Sequence, residues 1–188
     1  MEFGVTLSRT SGVLVLGANE ARYGAGGRRQ QTLELVVDEA GVASAKAQGL
    51  PAPITSTARL RKSQDRVYLA AEGSRCLGML RVGRKRLFLH DAAGRMHEIE
   101  PLCVLDFYVH ESCQRRGVGK RLLEAALAAE KLDVTELTFD KPSNKCLAFL
   151  RKHYGLDRHE PQVNNFVVFP ACLERLNRPK PFFWSPKE

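Results

Sequence analysis

The stretch from Cys103 to Lys120, Cys-Val-Leu-Asp-Phe-Tyr-Val-His-Glu-Ser-Cys-Gln-Arg-Arg-Gly-Val-Gly-Lys, constrains this chain more than any other. Its first half reads as a buried strand, and its second half as a loop that delivers Gln-Arg-Arg-Gly-Val-Gly to the start of a helix. Gly117 and Gly119 carry no Cβ, so a ligand can approach the backbone closely there. The free N–H groups of a first helical turn point at whatever lies in front of them, and the helix dipole favours negative charge at that end. Arg115, Arg116 and Lys120 add positive charge around the same point. The pattern predicts a cradle for a pyrophosphate, and the same glycines also suit a strand–helix turn that binds nothing.

Two other phosphate motifs do not fit. A Walker A loop needs Gly-x-x-x-x-Gly-Lys-Ser/Thr, and a dinucleotide fingerprint needs a third glycine and a following acidic residue. At 188 residues the chain suits one domain with a substantial core. Its 29 basic against 21 acidic residues, net +8, steer it towards acidic partners. No zinc-finger spacing, RNP motif or long Lys/Arg run accompanies that charge, which excludes the usual nucleic-acid modules. Cys76, Cys103, Cys113, Cys146 and Cys172 are odd in number and form no Cys-x-x-Cys pair, so neither a disulfide framework nor a metal site is expected. No apolar run reaches the roughly 18 residues of a membrane helix, and no signal-peptide pattern opens the chain. A cytoplasmic location is therefore expected.

Residues 1–188 read as one domain, with a short strand at Gly12–Leu16, a flexible Gly/Arg-rich segment at about 17–30 and a loose tail at about 178–188. Leu33, Val36, Val37, Ala40 and Ala43 recur at helical spacing between Gln31 and Ala47, and Gly49 and Pro51 stop that helix. Val67–Ala71, Cys76–Val82 and Arg86–His90 read as strands, with hairpin signals at Glu72-Gly73-Ser74 and Gly83-Arg84-Lys85. A long strand is predicted from Glu98 to His110. It is followed by a helix from Gly117 to Lys131 with Val118, Leu122, Ala125, Ala126 and Ala129 inward. A strand at Glu136–Asp140, a helix at Ser143–Tyr154 capped by Ser143, and a strand at Asn165–Phe169 complete the order.

Gln114-x-x-Gly117-x-Gly119 matches the Gln/Arg-x-x-Gly-x-Gly/Ala acetyl-CoA signature of the GNAT superfamily of acetyltransferases. Ala43 through Ser56, the strand before that signature, Asp140-Lys141-Pro142-Ser143 and Pro161-Gln162-Val163-Asn164-Asn165-Phe166-Val167 together resemble the alpha-tubulin N-acetyltransferase family. The matches come in family order across roughly residues 31–169. The hairpin at Glu72–Arg75 is shorter than in animal members, and Gly17–Arg29 is unlike them. The resemblance implies an α/β (α+β) GNAT fold, a mixed and mainly antiparallel central sheet with helices on both faces. It implies acetyl-CoA as co-substrate, no metal, alpha-tubulin in microtubules as partner, and neither nucleic acid nor membrane. The expected setting is the microtubule cytoskeleton, including the axoneme of a cilium or flagellum, with a monomer as the working state.

The resemblance also assigns residues. Gln48, Cys103 and Asp140 match the family's essential glutamine and catalytic cysteine and aspartate. Phe107, Tyr108 and Val109 are expected to pair through backbone with the pantetheine arm. Gln114, Arg115, Arg116, Gly117, Val118, Gly119 and Lys120 would hold the pyrophosphate, and Ser143, Lys145 and Lys152 would form a second acetyl-CoA segment. Asn164 and Asn165 fall where the family shapes its substrate groove, although their amides are equally suited to closing a turn. Without the resemblance, Cys103 is simply a small core residue, Asp140 the start of a turn, Gln48 a solvated helix end and Lys152 part of a solvated face.

Acetyl transfer to a lysine demands a free amine. With a pKa of about 10.4, only about one lysine in a thousand is neutral near pH 7.4, a gap of about 4 kcal/mol. A base or desolvation must close that gap. Asp140 can serve only if burial raises its pKa, whereas a thiol near 8.5 such as Cys103 starts closer to the working range. Direct transfer in a ternary complex is preferred over an acetyl-cysteine intermediate, because juxtaposed substrates need no enzyme nucleophile. Asp106 is expected to be a satisfied structural carboxylate, and His110 to shape the cofactor loop. The competing readings are a GNAT enzyme for another lysine or small amine, a microtubule-binding scaffold with little catalysis, and, weakest, a basic RNA-binding protein.

Overall fold

The computed structural model describes residues 8–17, 27–91, 93–160 and 162–176. Its strands are β1 (Ser8–Gly17), β2 (Arg66–Gly73), β3 (Arg75–Arg84), β4 (Leu87–His90), β5 (Met96–Ile99), β6 (Leu102–Val109), β7 (Thr138–Asp140) and β8 (Phe166–Val168). Its helices are α1 (Arg28–Gln48), α2 (Thr57–Leu60), α3 (Val118–Glu130), α4 (Asn144–Tyr154) and α5 (Pro170–Leu176). Six strands form one sheet in the order β1-β2-β3-β6-β7-β8, and β4 and β5 make a separate hairpin. Every pairing is antiparallel except β6 with β7. The expected mixed, mainly antiparallel GNAT sheet is therefore present.

Apolar side chains sort onto the two faces. Leu122, Leu123 and Ala126 of α3 and Leu150 of α4 pack with Tyr68, Leu80, Val104 and Phe139 on one face. Val36, Val37 and Ala40 of α1 pack with Val67, Leu69 and Met79 in a second cluster. Cys172 and Leu173 of α5 join Leu87, Leu89, Cys103 and Val168 in a third. The helical spacing read from Leu33 to Ala43 thus falls on a real buried stripe. The helix ends at Gly49, whose φ of 66° lets its N–H and that of Leu50 close on Lys46 and Ala45. Gly41 meets a different demand. A Cβ there would lie 2.0 Å from the Thr55 carbonyl oxygen, so only glycine lets the α1–α2 connection lie against the helix.

Several expected boundaries move. Gly83-Arg84-Lys85 makes no hairpin, because β4 leaves the sheet and pairs with β5. The long strand from Glu98 divides into β5 and β6 at Pro101, which has no N–H to give a ladder and whose carbonyl accepts from Lys85 N. The strand expected at Glu136–Asp140 shortens to β7, since Val134–Glu136 winds into a 3-10 turn with an Asp133–Glu136 capping box. Ala129 is exposed rather than inward, and Leu123 takes the buried position. Next to Ala129, Glu130 turns in to accept from Arg66 and from Tyr68 Oη at 3.1 Å. Arg28 and Arg29 belong to α1, while the rest of the Gly/Arg-rich segment and the tail beyond 176 lie outside the described residues.

Candidate active site

The centre of the sheet is built around an irregularity in β6. Val82 pairs with Val104 while Arg81 pairs with Asp106, so Leu105 is an extra residue bulged out of the ladder. A bulge reverses the side-to-side alternation beyond it and re-aims the later side chains of the strand. Asp106 is thereby turned towards α1, while Phe107 and Val109 turn towards α3 and α4. Pairing of β6 with β7 stops at the same place, after Cys103 with Thr138 and Val104 with Phe139. Pairing with β3 continues to Val109. From Leu105 onward, the edge of β6 that faced β7 has no strand partner among the described residues. This is the edge where Phe107, Tyr108 and Val109 were expected to meet a pantetheine arm.

The loop after β6 has the character that an anion needs. His110 caps a 3-10 turn at Glu111–Cys113, accepting from Ser112 N, in keeping with a loop-shaping role. Gln114 Nε2 donates back to Val109 O at 3.0 Å and closes the loop from within. Gly117, with φ 77°, is the N-cap of α3, and no side chain caps that helix and no acid lies in its first turn. The leading N–H groups at Val118, Gly119 and Lys120 are left to an outside acceptor, which fits a pyrophosphate. Gly119 sits against Phe107 and Phe149, where a Cβ would only touch their rings. Arg115, at φ 60°, and Arg116 are exposed beside it, and Lys120 makes a loose 3.6 Å pair with Glu124. Ser143 caps α4 by accepting from Cys146 N at 3.2 Å. Lys145, in the first turn of that helix, is close enough to influence Glu111, and Lys152 is exposed in its last turn.

On the α1 face, Asp106 is 4% exposed and fully engaged. Its Oδ1 accepts from Ser44 Oγ at 2.7 Å and from Gln48 Nε2 at 3.0 Å, and its Oδ2 accepts from Thr55 Oγ1 at 2.5 Å. Gln48 Nε2 also donates to Ser44 Oγ at 2.8 Å. Both amide hydrogens of Gln48 are therefore spent on its support, and its carbonyl oxygen is what it has left to offer a substrate. Asp106 is the structural carboxylate the sequence suggested. Ser44 and Thr55 were missed as its partners. Ser44 lies one turn before Gln48, so only that half of the arrangement leaves a local trace in the sequence.

Cys103 and Asp140 lie on the same sheet face, in different surroundings. Cys103 is at the amino-terminal end of β6 and is completely buried. Its Sγ accepts from Thr138 Oγ1 at 2.8 Å, and burial pushes the thiol up to about 11. That removes the thiol from the working range near neutrality. Burial also raises Asp140, at the end of β7, above the ordinary aspartate value against the pull of Lys141, Lys85 and Arg81, which for a carboxylate is a move towards neutrality. Arg81 is itself held by Asp65, through Nε at 2.9 Å and Nη2 at 2.5 Å, and donates from Nη1 to Ile54 O. Iodoacetamide at neutral pH is expected to spare Cys103 in the folded chain and to label it in urea, as read by mass spectrometry of the digest. Rapid labelling of the native protein would contradict the burial.

Asn164 and Asn165 divide their roles. Asn164 Oδ1 accepts from Phe166 N at 3.2 Å and closes the turn into β8, whereas Asn165, at φ 62°, lines a cavity beside β7. Among the described residues no group of three His, Cys, Asp or Glu is arranged to hold a metal, and no helix is long and apolar enough to cross a membrane.

A central sheet that parts between parallel neighbours, with an uncapped helix N-terminus and three cations at the mouth of the opening, is the architecture of the GNAT acetyltransferases. The acetyltransferase domain of xEco2, whose structure carries a K105–CoA conjugate, superposes with a TM-score of 0.56 at 14% identity, covering 88% of this chain and 97% of that one. An aminoglycoside acetyltransferase from a soil metagenome, in complex with sisomicin, gives 0.50 at 16% identity over 79% and 90%. The sequence profile of the family described as "GNAT acetyltransferase, Mec-17" matches residues 7–182, and the chain belongs to that family. Proteins named alpha-tubulin N-acetyltransferase are similar along most of its length. That of Leishmania major is 50% identical over 163 residues, covering 83% of this chain and 66% of the relative. The Tetrahymena thermophila protein is 49% identical over 142 residues, covering 76% and 36%. That of Trichoplax adhaerens is 46% identical over 168 residues, covering 81% and 71%. The chain thus spans between about a third and two thirds of the length of the first two.

Proposed function

We propose that this domain transfers an acetyl group from acetyl-CoA to the side-chain amine of the luminal lysine of alpha-tubulin in microtubules, by direct attack in a ternary complex. The observation that carries the chemistry is Asp140, a carboxylate raised by desolvation at the end of β7, where β6 and β7 have parted. A carboxylate above its ordinary value is a better match for taking a proton from an ammonium. Acetyl-CoA supplies an activated acetyl thioester. Its pyrophosphate suits the uncapped start of α3 with Arg115, Arg116 and Lys120, its pantetheine the unpaired edge at Phe107–Val109, and its nucleotide phosphates Lys145 and Lys152.

Asp140 takes one proton from the lysine ammonium, the amine nitrogen forms a bond to the acetyl carbon, and the carbon–sulfur bond breaks as the nitrogen's second proton passes to the departing sulfur, so that CoA leaves as the thiol. Gln48, fixed by Asp106 and Ser44, offers its carbonyl oxygen to orient the amine. Cys103 supports the site as a positioning residue through Thr138, since so buried a thiol is no base at neutral pH. The relatives named alpha-tubulin N-acetyltransferase support tubulin as the substrate, and with it a setting at the microtubule cytoskeleton. The surplus positive charge suits an acidic protein surface.

The test is incubation with labelled acetyl-CoA and microtubules, beside microtubules whose luminal lysine is replaced by arginine. Label confined to the lysine form is expected. Equal label on both would leave an acetyltransferase without the tubulin-loop specificity. No label despite acetyl-CoA binding would leave a scaffold.

A further inference from the structure

We propose that the cavity beside Asp140 is a subsite for a carboxylate side chain of the substrate, so that the enzyme favours lysines with Asp or Glu within two positions. This inference rests on the protein-lysine acetyltransferase reading above. The cavity holds about 470 Å³ and is lined by Lys141, His159, Gln162 and Asn165 over a floor that includes Pro142 and Phe166. It begins one residue beyond the proposed base. No carboxylate lines it, and Lys141 has no ion-pair partner within 4 Å among the described residues.

The walls are fixed rather than incidental. Gln162 Oε1 accepts from His90 N at 2.8 Å and its Nε2 donates to His90 O at 2.9 Å, which ties this segment to β4 and uses the whole amide. Lys141 N donates to Asn165 O at 3.2 Å. Both of these residues are non-glycine with positive φ, 43° and 62°. Positive φ is disfavoured for residues with a side chain, less so for Asn than for Lys, and at Lys141 it persists because its surroundings enforce it. What remains for a ligand is one lysine ammonium, one histidine ring and one Asn165 amide, a set that donates to an anion. A lysine that reaches Asp140 carries its neighbours with it. Residues two apart in an extended peptide lie about 7 Å apart on one side, which brings a flanking side chain to the cavity.

The test uses short peptides with one acceptor lysine and either Asp or Asn at each position from two before to two after it. Both kcat/KM and the Kd of the chain saturated with CoA are measured. At one or more positions Asp is expected to be preferred by about threefold to tenfold, as for a charge-assisted contact at a partly solvated site. The preference is expected to shrink as ionic strength rises. Lys141→Asn, which tolerates positive φ, and His159→Gln should each narrow the Asp-to-Asn ratio. Because the ratio is taken within one variant, any effect of the missing charge on Asp140 cancels. Lys141→Glu should invert the ratio, so that the Asn peptide is preferred to the Asp peptide. Equal Kd and kcat/KM for Asp and Asn at every position would overturn the proposal, and unmodified wild-type protein suffices to show it. If neither peptide is acetylated, the transferase reading fails, while the Kd ratio still decides the subsite.

Discussion

Asp140→Asn is expected to lower kcat by about 10²- to 10⁴-fold, the usual contribution of a positioned general base. The amide keeps the shape of the carboxylate and loses only its ability to take a proton. Stability should move in the opposite sense. Burial raises the Asp140 carboxyl in the folded state above its unfolded value, so the folded chain holds that proton more tightly. The group's contribution to stability is complete in acid and is lost as pH rises through the folded value. At neutral pH the native protein bears a partly desolvated charge that asparagine lacks. The variant's Tm should therefore equal or exceed that of the wild type, with the difference closing as the pH is lowered. Thermal unfolding across a pH series beside steady-state kinetics reads both effects. A variant that turns over normally, or one that is inactive because it melts several degrees earlier, would remove Asp140 from the role of base. The pH–rate profile of the wild type carries the same sign, with activity falling as pH drops through the raised carboxyl.

Asp106→Ala should be the most damaging single change to the fold near the site. It strips the acceptor from the hydroxyls of Ser44 and Thr55, which are 0% and 1% exposed, and from the Gln48 amide. Leaving two buried donors without partners costs about 2–5 kcal/mol, equivalent to a fall in Tm of about 10 °C for a domain of this size. Gln48 would lose the bonds that fix it, so KM for the lysine substrate should rise in whatever protein remains folded. Asp106→Asn should be milder. Its Oδ1 can still accept from Ser44 and Gln48, and its amide can donate to the Thr55 hydroxyl. An alanine variant that melts within a degree or two of wild type would show that water replaces the carboxylate at little cost.

How much of the molecule was legible in the sequence depends on how local each feature is. The helical stripe through Val36, Val37 and Ala40, the Ser143 cap and the glycine at the start of α3 are set by neighbours a few residues away. Those were readable. The division at Pro101 was written in the sequence too, as a residue that gives no hydrogen to a ladder, but it lay inside a stretch that reads as one strand from Glu98 to His110. The bulge at Leu105 was not readable, because it exists only in the register of β6 against β3. Its consequence, the meeting of Asp106 with Ser44, Gln48 and Thr55, links residues 51 to 62 positions apart. The thiol of Cys103 illustrates the limit most directly. Its residue type suggested a group near neutrality, whereas its burial between two strands moves it to about 11.

The early end of pairing between β6 and β7 also has a mechanical consequence. The sheet is in effect two leaves, β1-β2-β3-β6 and β7-β8, bound along a spine of two residue pairs. Gln48 rides on the first leaf through Asp106, and Asp140 belongs to the second. The Cys103–Thr138 contact sits at the spine itself, like the stitching of a book. Whatever lies between the pages sets how far apart Gln48 and Asp140 stand, and a change in the stitching alters that span without touching either residue.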